Sequence, residues 1–154
     1  MSTLSQFLSA DHRRCDDLII AAEHAIAAQA WTRGARLFND FHDTVERHLA
    51  MEEQVLFVAY EAAAGAQGPS QVMRMEHEQI RALLASMARA VREHAGAEFL
   101  GLTETLLVLM QQHNMKEEHI LYPLCDRLLA EDAEDLIAHM RSVTTGLVTE
   151  AEPV

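Results

Sequence analysis

The stretch His48-Leu49-Ala50-Met51-Glu52-Glu53-Gln54-Val55-Leu56-Phe57 returns 65 residues later as His113-Asn114-Met115-Lys116-Glu117-Glu118-His119-Ile120-Leu121-Tyr122. Neither copy contains glycine or proline. In each, a histidine precedes a glutamate by four residues, the interval that sets two side chains on one helix face, one turn apart. The flanking apolar residues continue that face. One copy reads Phe41, Val45, His48, Glu52, Val55, Ala59 and the other Leu106, Met110, His113, Glu117, Ile120, Leu124. The same shift carries Asp11-His12 onto Glu76-His77, Leu18 onto Leu83, Ile19 onto Leu84 and Ile26 onto Val91. Each half of the chain therefore reads as a helical hairpin with the same three polar residues on its apolar face.

On either side of the repeat the chain carries four long helical patterns and a shorter fifth. Leu8, Cys15, Ile19, Ala22 and Ile26 mark the first. A break at 30–34 follows, with Thr32 the expected N-cap of the second, which carries Phe38, Phe41 and Val45. The second ends in Gly65-Ala66-Gln67-Gly68-Pro69, where Gly and Pro act as stop and start signals. The third holds Met73, Ile80, Leu84, Met87 and Val91 and is expected to stop near Gly96. The fourth holds Leu102, Leu106 and Met110, with Pro123 an expected kink or local end. A short helix is expected from about Asp132 to Ser142, then a frayed tail from Glu150 to Val154. Long helices with short connections pack as antiparallel neighbours. The expected fold is all-α, an up-down four-helix bundle over about 4–130 with a short C-terminal helix and tail at 131–154, in one domain spanning 1–154.

Composition agrees and excludes several functions. The 154 residues are 49% hydrophobic, which argues against disorder and suffices for one core. A formal charge of −12 argues against partners that need a basic face, whether nucleic acid or anionic membrane. The cysteines, Cys15 and Cys125, are too few for a disulfide scaffold and suit a reducing compartment. The N-terminal stretch has no signal-peptide pattern, and no apolar run approaches a membrane span. A cytoplasmic location is the expectation. Nine histidines stand out in so short a chain.

Two tests place six of the repeated polar residues at one level of the bundle. His12 and His48 flank a midpoint at Ala30, and His77 and His113 a midpoint at Ala95. At 1.5 Å per residue each histidine lies about 27 Å from its turn, so each pair faces across a hairpin. The seams quoted above turn all four histidines, with Glu52 and Glu117, into the core. Burying such groups unpartnered costs several kcal/mol apiece, more than a marginally stable domain tolerates. A pair of divalent or trivalent cations removes that cost. The expected ligands are His12 and His48 for one metal and His77 and His113 for the other, with Glu52 and Glu117 spanning both. Imidazole with carboxylate suits iron best, with manganese and zinc as alternatives.

These residues resemble the hemerythrin-like, histidine–histidine–glutamate cation-binding family over about residues 8–128. The twin motifs His48-x3-Glu52-Glu53-x-x-Leu56-Phe57 and His113-x3-Glu117-Glu118-x-x-Leu121-Tyr122-Pro123 carry the resemblance. It implies a non-haem di-iron centre, two iron ions with an oxo or hydroxo bridge, held by the six residues just named. Oxygen-carrying hemerythrins have a fifth histidine one turn before the His77 position, where this chain has Met73. That difference argues against reversible oxygen carriage. The four-histidine, two-glutamate set is closer to the bacterial iron-sulfur-cluster repair and nitric-oxide-responsive branch, which usually carries a cysteine-bearing N-terminal domain.

Other residues read less specifically. His42-x3-Glu46 has the same spacing, but its repeat counterparts are Leu107 and Gln111, so a surface or outer position is expected. His24, His94, His119 and His139 lack repeat partners and read as solvated. Glu53 and Glu118 do repeat, and suit equally a role behind the ligands or a place on the surface. Cys15 reads as a small buried hydrophobe. Met73, Met75, Met87 and Met110 read as core fillers, and Phe57 and Tyr122 as packing, although a tyrosine near iron is able to act in redox chemistry. Asp16 and Arg81, each four residues after a ligand histidine, are candidate outer groups or lids. No His-Glu-x-x-His motif, phosphate-binding glycine loop or ferritin-type Glu-x-x-His occurs.

The expected function is binding of, or response to, oxygen, peroxide or nitric oxide at a carboxylate-bridged di-metal centre. Peroxide- or nitric-oxide-directed redox activity would use the same ligands. The alternative is a metal-dependent iron-sensing, storage or repair module without catalysis.

Overall fold

The computed structural model describes residues 2–144; the tail expected to fray lies outside them. Helix α1 spans Leu4–Ala27, and Thr3 starts it with a capping box. The Thr3 hydroxyl accepts from the Gln6 N–H, and the Gln6 side chain accepts from the Thr3 N–H, each at 3.0 Å. Helix α2 (Trp31–Met51), a π turn at Glu52–Leu56 and α3 (Phe57–Ala64) follow one another without a break. After the Gly65–Gly68 loop come α4 (Pro69–Arg92) and α5 (Gly96–Lys116). A second π turn at Glu117–Leu121 leads into α6 (Tyr122–Leu128), and a 3-10 turn at Ala130–Asp132 into α7 (Ala133–Arg141). There is no strand among the described residues.

The 65-residue repeat extends to the hairpin turns. Gln29 and His94 both adopt a left-handed conformation, φ 60° and 51°. In the first turn the Ala30 N–H donates to the Ala25 carbonyl, and in the second the Ala95 N–H donates to the Ala90 carbonyl, both at 2.9 Å. This closure satisfies the last helical carbonyls and reverses the chain within three residues. It also corrects two expected boundaries. The turn is complete at Ala30, so α2 starts at Trp31 with Ala30 as N-cap rather than at Thr32. Gly96 opens α5 rather than ending α4.

Helices α1 and α2 pack as one hairpin and α4 and α5 as the other, with α1 against α5 and α2 against α4. Two apolar clusters result. One gathers Leu4, Leu8, Met51, Phe57, Met73, Tyr122 and Met140; the other gathers Cys15, Ile19, Phe41, Leu84, Phe99 and Leu106. Where the clusters meet, buried Asp11, His12, His48, Glu52, His77, His113 and Glu117 form a polar layer inside the bundle. Helix α7 packs on the first π turn and adds Ile137 and Met140 to the first cluster.

The π turns change which residues face inward. A π turn holds more residues than an α turn, so the inward positions shift along the sequence beyond it. Ile120, assigned to the seam from 3.6-residue periodicity, is 52% exposed, whereas Leu121, Tyr122 and Cys125 are at most 1% exposed. Leu124 and Ala59 are only partly buried, while Leu56 and Phe57 are fully buried. The π turn at 52–56 forms without a proline, so the repeat rather than Pro123 sets this geometry; the chain continues helically to Leu128. Met75 is exposed, unlike Met73, Met87 and Met110, and is no core filler. No helix among the described residues is long and apolar enough to cross a membrane.

Candidate metal centre

The structure brings together all six residues that the sequence singled out. His12 comes from α1, His48 from α2, His77 from α4 and His113 from α5, while Glu52 and Glu117 are the first residues of the two π turns. All six are at most 4% exposed. Their donor atoms form two overlapping groups, His12–His48–Glu52–Glu117 and Glu52–His77–His113–Glu117, either of which can hold a metal ion.

Each carboxylate divides its oxygens between the two groups. Glu52 Oε1 lies 3.0 Å from His77 Nε2, and its Oε2 lies 3.5 Å from His48 Nε2. Glu117 Oε1 lies 3.0 Å from His12 Nε2, and its Oε2 lies 3.1 Å from His113 Nε2. This is the arrangement a bridging carboxylate needs. In the second group Glu52 Oε1, Glu117 Oε2, His77 Nε2 and His113 Nε2 are buried without a hydrogen-bond partner, close together but misaligned for one. Orphaned polar atoms in a core are costly. Four that converge, two nitrogens and two oxygens, fit a cation of borderline or hard character.

Behind the histidines stands a ring of carboxylates. Nδ1 of His12 meets Glu118 at 2.6 Å, that of His48 meets Asp11 at 2.8 Å, that of His77 meets Glu53 at 2.8 Å, and that of His113 meets Glu76 at 2.8 Å. A carboxylate accepting from Nδ1–H fixes the tautomer that turns the Nε2 lone pair inward. The ring obeys the repeat, since Asp11 corresponds to Glu76 and Glu53 to Glu118. Cations brace three of its members: Arg14 pairs with Asp11, Lys116 with Glu76, and Arg81 with Glu53 at 2.7 Å.

The sequence showed Asp11 and Glu76 only as neighbours of ligand histidines and left Glu53 and Glu118 undecided. Their repetition was the available signal; what sequence lacked was the direction of each Nδ1. Arg81 bridges Glu53 and Glu46, bracing an outer carboxylate. Asp16 is exposed and lines a surface cavity of about 550 Å³ that reaches His12, together with Met110, Asn114 and Glu118.

Charge in this layer is strongly coupled. Burial disfavours the charged His77 imidazole, but Glu117, Glu52 and Glu53 around it outweigh burial and raise it to about 11. Burial opposes charge on His48 too, yet Glu52 and Asp11 raise it well above the usual range. Burial alone would raise the Glu117 carboxyl, yet His113, His12 and His77 hold it well below the usual range. Burial also opposes ionisation of Glu53, but His77 and Arg81 bring it down to about 2. Without a cation, protons on His48, His77 and His113 offset the buried negative charge.

One tyrosine enters the layer. The Tyr122 hydroxyl donates to Glu52 Oε2 at 2.6 Å, with Glu117 Oε1 at 2.9 Å, His12 Nε2 at 3.2 Å and His48 Nε2 at 3.4 Å. Its repeat counterpart, Phe57, stacks on His77 with ring centroids 5.5 Å apart. The sequence reading as packing missed the hydroxyl's position because the π turn carries Tyr122 inward. The signal was this change from Phe to Tyr between otherwise matching segments.

The remaining candidates stay apart. His24, His94, His119 and His139 are exposed, and His94 stacks on Trp31. His42 packs against Phe38 with ring centroids 6.0 Å apart, outside both donor groups. Cys15 and Cys125 are buried free thiols, each pushed up to about 12 by burial, as expected of cysteines acting as small hydrophobes.

Among protein-family models, that of the hemerythrin HHE cation binding domain matches residues 3–125. No curated protein and no solved structure matches the chain.

Proposed function

The chain belongs to the hemerythrin HHE cation-binding domain family, and from that premise we propose that it holds a non-haem di-iron centre that binds or responds to oxygen, peroxide or nitric oxide. The observation that carries this reading is the set of four buried, unpartnered atoms of Glu52, Glu117, His77 and His113, facing one another. In this reading His12 and His48 hold one iron, His77 and His113 the other, and Glu52 and Glu117 bridge them. Bound iron supplies one-electron redox chemistry and coordination positions open to small ligands.

The protein's own groups set the conditions for that chemistry. Asp11, Glu53, Glu76 and Glu118 orient the imidazoles and raise their basicity as donors. The apolar clusters on both sides keep bulk water from the carboxylates, which strengthens every interaction inside. The surface cavity beside His12 brings solvent to within one side chain of the centre. Met73, standing where oxygen carriers have a further histidine, packs in the first apolar cluster. Response to peroxide or nitric oxide is therefore favoured over reversible oxygen carriage.

The test is metal analysis with optical spectroscopy of iron-reconstituted protein, before and after exposure to oxygen, peroxide and nitric oxide. The reading expects stoichiometric iron and a ferric spectrum that changes with peroxide or nitric oxide. Protein that retains no iron, or a spectrum indifferent to all three, would overturn it. Fully reversible oxygenation would overturn the inference from Met73 alone.

A further inference from the structure

The six proposed ligands repeat identically in the two halves of the polar layer, but the inward residue that follows each π turn does not. The inward residue after the first π turn is Phe57, a hydrocarbon; after the second it is Tyr122, with an oxygen in the same relation to the repeat. Tyr122 is fully buried. Its oxygen reaches the donor atoms of only one group: Glu52 Oε2, Glu117 Oε1, His12 Nε2 and His48 Nε2, at 2.6 to 3.4 Å. The unpartnered atoms all belong to the other group.

These separations are what coordination geometry asks of a ligand. With bonds of about 2.1 Å, donors at right angles around a metal lie about 3.0 Å apart. The Tyr122 oxygen stands at about that distance from all four donors of the His12–His48 position. The four donors all lie within 4.8 Å of one another, with His12 Nε2 3.0 Å from Glu117 Oε1 and His48 Nε2 3.5 Å from Glu52 Oε2. An oxygen next to every member of such a set lies within reach of the cation they would hold. A hydroxyl present only to satisfy the core needs one carboxylate, not contact with two carboxylates and two imidazole nitrogens.

We propose that Tyr122 is a fifth protein ligand to the cation at the His12–His48 position, and that the His77–His113 position has none. As the metal–oxygen bond forms, the phenol O–H bond breaks and its proton leaves to solvent; no electron is transferred. The cation bound by five protein atoms is then the more closed, and the His77–His113 cation keeps the position open to small molecules. This rests on the proposed di-iron reading and adds to it an asymmetry that the His and Glu motifs do not contain.

The experiment is resonance Raman and optical spectroscopy of the full chain loaded with ferric iron, beside Tyr122→Phe. A phenolate bound to ferric iron gives a visible charge-transfer band whose excitation enhances tyrosine ring vibrations. The wild type is expected to show both, and Tyr122→Phe to lose both while remaining folded and retaining iron. Tyr60, the other tyrosine, lies outside both donor groups and is not expected to contribute. Loaded wild type without enhanced ring modes overturns the assignment whatever the variant does, so the test survives a variant that fails to fold. The same modes persisting in Tyr122→Phe overturn it as well. Wild type that takes up no iron overturns the underlying di-iron reading and this proposal with it, whereas loaded iron without the phenolate signature overturns only the latter.

Discussion

Nδ1 of His77 lies 2.8 Å from Oε2 of Glu53, and that same carboxylate oxygen accepts from the Arg81 guanidinium at 2.7 Å. A charge on one helix thus aims a proposed ligand on another. Glu53→Ala leaves His77 free to rotate and lowers its basicity. It should weaken metal binding by about 10–100-fold with the helical fold intact. Competition with a chelator of known affinity measures the loss, and circular dichroism checks the fold. Unchanged affinity would show that Glu53 serves only the surface.

Removing ligands should be harsher than removing their supports. His48→Ala and Glu117→Ala should each abolish stoichiometric loading, while His42→Ala, outside both donor groups, should load like wild type. Metal analysis after gel filtration checks all three. Equal loading in the three variants would sink the ligand assignment.

Loading should release protons and weaken in acid. The His77 pKa of about 11 means that this imidazole carries a proton at neutral pH in the metal-free protein, and a cation must displace it. Titrating metal into weakly buffered protein at pH 7 with an indicator dye should register proton release. Affinity should fall as pH decreases.

The metal-free protein should follow the opposite trend. The His77 contribution to stability is fully present below its ordinary value of 6.5 and is lost as pH rises toward about 11. The Glu53 contribution is present above its ordinary value of 4.5 and is lost as pH falls toward about 2. Together these place the metal-free optimum between pH 4.5 and 6.5. Urea denaturation across pH, with and without metal, checks both signs, and the stabilisation by metal should grow with rising pH.

The hairpin turns offer a test independent of metal. Gln29 is exposed at φ 60°, where a side chain costs roughly 1–2 kcal/mol. Gln29→Gly should stabilise the protein by about 0.5–1 kcal/mol, since part of that relief is offset by glycine's unfolded-state entropy. His94→Gly should gain less, because it also loses the stack on Trp31, with centroids 4.5 Å apart. Thermal melts of the metal-free variants rank the two.

Much of this was legible in the sequence because one constraint wrote it twice. The 65-residue repeat and the His-x3-Glu spacing located the hairpins, the polar layer and all six inward residues. Periodicity failed just after Glu52 and Glu117, where a π turn replaces an α turn. From there a 3.6-residue count puts Ile120 in the core and leaves Tyr122 without a direction. The carboxylate ring was half visible, since Glu53 and Glu118 repeat. Which imidazole nitrogen each acid meets is settled by contacts between helices more than twenty residues apart. Arg81 illustrates the same limit: its spacing from His77 drew notice, but its role comes from Glu46 and Glu53 across the bundle.

Two cations in one polar layer, bracketed by two histidine pairs and joined by two glutamates, are directly visible to anomalous diffraction at the iron edge from crystals of iron-loaded protein. Two peaks are expected, one beside His12 and His48 and one beside His77 and His113, with Glu52 and Glu117 between them. A single peak, or iron bound elsewhere on the chain, would contradict this arrangement.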